Sequence, residues 1–168
     1  MSTSVDSGLS AVDPVVFREA MSRLAAPLAI ITTRGPDGRP WGFTASSVAS
    51  MSLDPPLVVV GVAHTSSCYG ALAKAEGFAV NLLGDQHREL ARRFAEHGAD
   101  RFAGREFEAC PVTELPCLSD ANAVFKCRTA ERITIGDHDL LVGELIAVRL
   151  DSVTRPLLWY RRDFHVPG

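Results

Sequence analysis

The sequence lacks the marks of the better-signposted chemistries. Its 168 residues contain no GxGxxG and no GxxxxGK[ST], so neither a Rossmann dinucleotide turn nor a P-loop is supported. There is no HExxH, and no GxSxG that would make Ser46 or Ser47 a nucleophile on a strained elbow. The four cysteines form no CxxC pair and have no histidine at zinc-finger spacing, which argues against a metal site. Reduced thiols are the expectation for Cys68, Cys110, Cys117 and Cys127 in a cytoplasmic chain. No run of Lys or Arg exceeds a pair and the net charge is −3, which excludes the basic face that non-specific nucleic-acid binding needs. The longest apolar stretches, such as Leu57 to Ala63, fall far short of a membrane span. Residues 1–12 carry neither a basic nor an apolar segment, so the expectation is a mobile polar tail rather than a secretory signal. A cytoplasmic location follows as an expectation.

What is present is an ordinary globular composition, 46% hydrophobic and 22% charged, in a length that suits one domain over 13–168. Asp13-Pro14 followed by Val15 to Ala25 reads as a capped helix with Phe17, Ala20, Met21 and Leu24 on one face, ended by Pro27. Leu28 to Thr33 reads as a strand, and Gly35-Pro36-Asp37-Gly38 as the turn to a second strand running from Trp41 through Phe43 toward Met51. Leu57 to Ala63 is a buried strand, Ser66 or Ser67 caps a short helix through Lys74, and Phe78 to Leu83 is another strand. Asp85 is placed as the cap of a helix over Gln86 to Ala95. Ala99 to Ala121 reads as a long irregular crossing packed over a site. Val124 to Arg132, Asp139 to Asp151 and Leu157 to Phe164 complete about seven strands. Strands that succeed one another through turns favour an antiparallel barrel with peripheral helices over a βαβ fold.

Chemistry is most visible in Gly42-Phe43-Thr44-Ala45-Ser46-Ser47-Val48-Ala49-Ser50. Small and hydroxylated residues inside a strand are poor core material. They let a flat ligand approach the backbone and offer it N–H groups and hydroxyls, which an isoalloxazine uses along its N1, O2 and O4 edge. From composition alone, an exposed strand at a dimer contact stands equally well. Ser66-Ser67 at a helix start offers a phosphate seat or a plain cap. Arg92 and Arg93 on the following helix offer a guanidinium to close that seat. His138, in Gly136-Asp137-His138-Asp139, is either a rim group for a cofactor or a surface turn residue.

Seven segments, in order, carry a resemblance: FREAMSRLAAPLAIITT, DGRPWGFTASSVASMSLDPPLVVVGV, TSSCYGAL, GFAVNLL, LARRFA with DRFAG, GDHDLLVGEL and PLLWYRRDF. From Phe17 to Phe164 the chain resembles the flavin reductase-like, FMN-binding split-barrel family, the small reductase components of two-component flavin monooxygenases. The resemblance implies a mainly β, antiparallel split β-barrel and a homodimer with flavin near the subunit interface. It implies hydride transfer from NADH or NADPH to FMN or FAD, and a transient partner monooxygenase. It places Thr44, Ala45, Ser46 and Ser47 along the isoalloxazine, and Gly61, Val62, Ala63, Ser66 and Ser67 at the ribityl and phosphate end. It puts Asn81, Arg93 and Phe94 around the pocket, with His138, Tyr160 and Arg161 facing the nicotinamide. The chain departs from the pattern at Ser67-Cys68, and at Phe107 followed by ACPVTELPC, a loop the resemblance would let shape substrate access. Rival readings are a reductase that keeps its FMN and serves another acceptor, and a non-catalytic flavin or haem module with His64, His87 or His97 as axial ligand.

Overall fold

The computed structural model describes residues 10–151 and 155–168, so most of the expected N-terminal tail, residues 1–9, lies outside the described residues. Helix α1 (Pro14–Ser22) starts as the sequence predicts. The Asp13 carboxylate accepts hydrogen bonds from the backbone N–H of Val15 (2.8 Å) and Val16 (3.4 Å), and Pro14 takes the first helical position, where no N–H is needed. The helix stops before the expected Ala25, and none of its residues is buried. Pro27 lies in a two-residue strand, β1 (Ala26–Pro27), instead of ending the helix.

Strands β2 (Ala29–Arg34) and β3 (Pro40–Ala45) form the predicted hairpin, with Ile31 opposite Phe43. Gly38 takes φ +81° in its turn, a conformation that costs glycine little. The strand expected to run from Trp41 toward Met51 is two strands. The chain leaves the ladder at Ser46–Ser47, residues with little preference for a pleated, half-buried surface. It resumes as β4 (Val48–Ser52), paired to β5 (Leu57–Ala63). Helix α2 (Tyr69–Leu72) is shorter than expected. Strand β6 (Gly77–Leu82), a 3₁₀ turn over Asp85–His87 and helix α3 (Arg88–Ala95) follow. Asp85 opens the 3₁₀ turn and pairs with Arg155 at 2.8 Å instead of capping α3.

The crossing expected to be irregular contains a hairpin, β7 (Phe107–Ala109) with β8 (Pro116–Leu118), and a Cys110–Cys117 disulfide at its turn. This corrects the expectation of four reduced thiols. The tight loop returns the chain through a Cys110 N–H to Leu115 carbonyl bond of 2.8 Å, leaving the two cysteine Cα atoms 5.7 Å apart. Cys68 and Cys127 are free and buried, and burial pushes the Cys127 thiol up to about 12. Strands β9 (Ala123–Ile135) and β10 (His138–Leu150) make a long hairpin. Strands β11 (Leu158–Tyr160) and β12 (Asp163–His165) join β1 in a separate three-stranded sheet.

The main sheet has seven strands in the order β3-β2-β6-β9-β10-β5-β4. Strands β3 and β4, consecutive in the chain, occupy its two ends, and the sheet is not closed between them. The fold is therefore an antiparallel split barrel with peripheral helices. Alternation along β2 divides the core. Ala29 and Ile31 pack with Val60, Phe78 and Leu141 on one side. Ile30 packs on the other side with Leu90, Phe94, Cys117 and Leu118, beneath α3 and the β7–β8 hairpin.

Asn81 joins these layers. It is fully buried on β6, donating to the Ile30 carbonyl (2.8 Å) and the Thr32 hydroxyl (3.1 Å) while its carbonyl accepts from Leu118 N–H (2.8 Å). The resemblance places it around the ligand pocket; its carboxamide is spent tying β2 and β8 to β6. Asn81→Ala leaves buried groups unpaired and should lower stability by about 2–3 kcal/mol, measured by urea unfolding.

Candidate functional site

Residues 46–47 carry the chain between the two free edges of the sheet, so their backbone N–H groups have no ladder partner. Thr44 and Ser46 line a cavity of about 530 Å³ together with Leu28, residues Ala91, Arg92, Ala95 and Glu96 of the α3 segment, and Trp159 and Phe164 of the C-terminal hairpin. The Thr44 hydroxyl donates to the Ala91 carbonyl at 2.7 Å, which fixes α3 against β3. The indole and the Phe164 ring meet edge-on, with centroids 5.2 Å apart. The Arg92 guanidinium lies 5.0 Å from the Phe164 centroid. The result is an apolar slot with aromatic walls and a few polar groups, the usual form of a site for a planar organic ligand.

On the other side of the crossing, Ser47, Gly61 and His138 meet. The Gly61 N–H donates to the Ser47 carbonyl (3.2 Å) and the Ser47 hydroxyl to the Gly61 carbonyl (3.3 Å). A Cβ on Gly61 would stand 3.0 Å from Ser47 Oγ and 3.9 Å from His138 Cδ2, so the missing side chain lets these groups close up. His138 pairs with Ala63 across β10 and β5, and its Nδ1 lies 2.7 Å from Asp137 Oδ1. A second cavity of about 610 Å³ borders β3, lined by Arg39, Trp41, Gly42, Ser67, Cys68 and Arg101 among others. Arg101 donates to the Gly42 carbonyl at 2.7 Å and Cys68 Sγ lies 3.1 Å from the same oxygen.

Other expected site residues lie elsewhere. Ala45, Val62 and Phe94 are buried in the core. The Phe94 ring packs on Phe102 and Phe107. Arg93 turns away from the slot to pair with Glu106 at 2.6 Å, and its neighbour Arg92 faces the slot in its place. Successive helical residues are about 100° apart, and that rotation carries Arg93 round to Glu106. The Ser66 hydroxyl accepts from Cys68 N–H (3.2 Å) and so stabilises its own turn. Tyr160 and Arg161 flank the slot without lining it. Trp159, Arg162, Asp163 and Phe164 of the same hairpin line it instead. The loop after Phe107 lines neither cavity, because Phe107 packs inward and the hairpin lies beneath α3. His87 is buried with both ring nitrogens engaged, by Gly84 N–H (2.9 Å) and Asp120 (2.9 Å), which removes it from the candidate axial ligands.

Sequence reasoning missed one cluster beside His138. The Asp139 carboxylate, only 8% exposed, is met by His64 Nε2 (2.8 Å), the Tyr69 hydroxyl (3.0 Å) and the Thr134 hydroxyl (3.0 Å). The His64 bond, first among these, holds the Asp139 carboxyl below its usual range, and the same carboxylate raises the Tyr69 hydroxyl.

An open antiparallel barrel with an aromatic slot at its opening defines a split-barrel protein built to hold a planar cofactor. Residues 21–168 match the family described as flavin reductase like domain. The chain is 51% identical to the NADH:riboflavin 5'-phosphate oxidoreductase of Streptomyces pristinaespiralis over 99% of this chain and 96% of that one. The crystal structure of a flavin reductase domain protein from Arthrobacter sp. FB24 superposes with a TM-score of 0.86 at 34% identity, covering 92% of this chain and 95% of that one. The NADH:FAD oxidoreductase SgcE6 of Streptomyces globisporus C-1027, solved with NAD and FAD fragments, gives a TM-score of 0.85 at 28% identity, with 93% and 95% covered. The chain belongs to the flavin reductase-like family.

The lowered Asp139 value sets a pH dependence. Its contribution to stability is complete above the unfolded carboxylate value of about 3.9 and is lost as pH falls through the lower folded value. Asp139→Asn should therefore lower the urea midpoint at pH 7, and the gap to the unsubstituted protein should narrow as the pH approaches 3.

Proposed function

We propose that this chain is an NAD(P)H-dependent flavin reductase, a single domain over 13–168 that reduces FMN or FAD for a separate flavin-dependent monooxygenase. The observation that carries this reading is the opening of the sheet at Ser46–Ser47, with the aromatic slot on one side and the Ser47–Gly61–His138 cluster on the other. The residues present fit a flavin. The slot's volume is within the ~300–1,000 Å³ usual for sites that bury such ligands, and the Ser46 and Ser47 N–H groups have no ladder partner.

When bound, the two cofactors supply a hydride transfer from the nicotinamide to the flavin, and the chain need supply no acid, base or nucleophile. Its work is placement. Ser46 and Ser47 would offer a flavin their backbone amides, and Ser46 its hydroxyl as well, while Trp159 and Phe164 would exclude water. Gly61 keeps the floor low beside Ser47. Ser67 and Arg101, in the neighbouring cavity, suit the phosphate end. His138, beside Ser47 and Gly61, would hold the nicotinamide.

Uncovered apolar surface supports a homodimer. Ile146, Val148 and Leu150 are exposed at alternate positions of β10, and Val15, Val16, Phe17 and Met21 are exposed on α1. The outer part of β10 lies beyond its pairing with β5, which ends at Glu144 opposite Leu57. Sedimentation should give twice the 18.1 kDa chain mass, and Val148→Asp should shift the protein toward monomer at micromolar concentration.

Oxidation of NADH or NADPH by the purified protein, followed by absorbance with and without FMN or FAD, tests the activity. Turnover that needs added flavin and saturates with it supports the proposal. A flavin spectrum without turnover overturns it in favour of a binding module. Ser47→Phe should weaken flavin binding at least about 100-fold, because a ring displaced from the crossing cannot regain its bonds, while thermal unfolding stays two-state. Unchanged flavin affinity in that variant would place the ring elsewhere.

A further inference from the structure

Asp139 is a buried carboxylate that the hydride transfer does not use. Three segments end on it: His64 after β5, Tyr69 on α2, and Thr134 near the end of β9. The same corner is closed by His64 N–H donating to the Asp137 carbonyl at 2.9 Å. Side chains alternate along a strand, so while Asp139 points inward with its partner Val62, His138 points outward over Gly61 and Ser47. The two residues are consecutive, and what fixes one fixes the other. Within the turn, His138 has only the bond to Asp137, whose own side chain is 95% exposed and gives little restraint.

We propose that Asp139 is a positioning residue for His138: the carboxylate, through His64, Tyr69 and Thr134, locks the β9–β10 corner so that the imidazole stands over the Ser47–Gly61 floor. This rests on the reading that His138 faces the nicotinamide. Losing the lock leaves the flavin slot untouched, because Thr44, Ser46, Trp159 and Phe164 belong to other elements. The cost therefore falls on nicotinamide capture and not on flavin binding.

The test is a double-substitution cycle on the dimeric enzyme, joined to NMR of the protein labelled at histidine Cε1. The chain has five histidines, and His138→Ala assigns the signal of interest. Asp139→Asn should raise the KM for NADH by about tenfold, with kcat and flavin affinity held within about twofold, and should shift or broaden the His138 signal. Adding Asp139→Asn to His138→Ala should change nothing further, since a residue that acts through another loses its effect once that other is gone. Tyr69→Phe and Thr134→Val each remove one bond and should give smaller effects in the same direction, which keeps the test decisive should Asp139→Asn fold poorly. An unmoved His138 signal, or effects that multiply in the double variant, overturns the positioning role. A displaced His138 signal together with an unchanged KM in His138→Ala keeps the positioning role and overturns the nicotinamide role of His138 instead.

Discussion

Every part of the site is referred to one interruption, the absence of hydrogen bonds between β3 and β4. A closed barrel would spend the N–H groups of both edges on each other and leave no room at the seam. Here the edges stay apart and the chain crosses between them at Ser46–Ser47. The crossing has to be small, because Gly61 and His138 press on it from β5 and β10 while the C-terminal hairpin and α3 wall off its other side. The run of small and hydroxylated residues in the sequence is the imprint of that crowding.

The scaffold that holds the seam open is polar at its critical joints. Asn81 ties β2 and β8 to β6 with one carboxamide, and Asp139 draws β5, α2 and β9 together with one carboxylate. Both are buried and well bonded, the condition under which a polar group in a core strengthens a unique arrangement instead of weakening it. Thr44 does similar work at the surface of the slot, where its bond to the Ala91 carbonyl seats α3.

Much of this was legible before any coordinates. The Asp13-Pro14 cap, the Gly35–Gly38 turn and the Leu57–Ala63 strand are local signals, and local chemistry decides them. The break at Ser46–Ser47 was not legible by pattern, since one strand with a soft centre and two strands at opposite sheet ends read alike. Arg92 and Arg93 differ only by a helical rotation that tertiary packing sets. Asn81 and Phe94 carry the composition of pocket residues but are core, because their neighbours in space, Leu118 and Phe107, come from a hairpin hidden in an aperiodic stretch. The Cys110–Cys117 bond was missed for the same reason. Trp159 and Phe164 were hidden because strict alternation over one strand from Leu157 to Phe164 puts them on opposite faces; the turn at residues 161–162 makes two strands and sets them side by side.

Because β3 and β4 sit at opposite ends of the sheet, the seam exists only after every intervening strand has been laid down, and its wall comes from residues 159–164. A chain emerging from the ribosome therefore lacks the aromatic wall of the slot until synthesis is almost complete. Contacts of such long sequence separation form late and slowly. A chain truncated before Trp159 would keep the seven-stranded sheet but leave the slot without its aromatic wall.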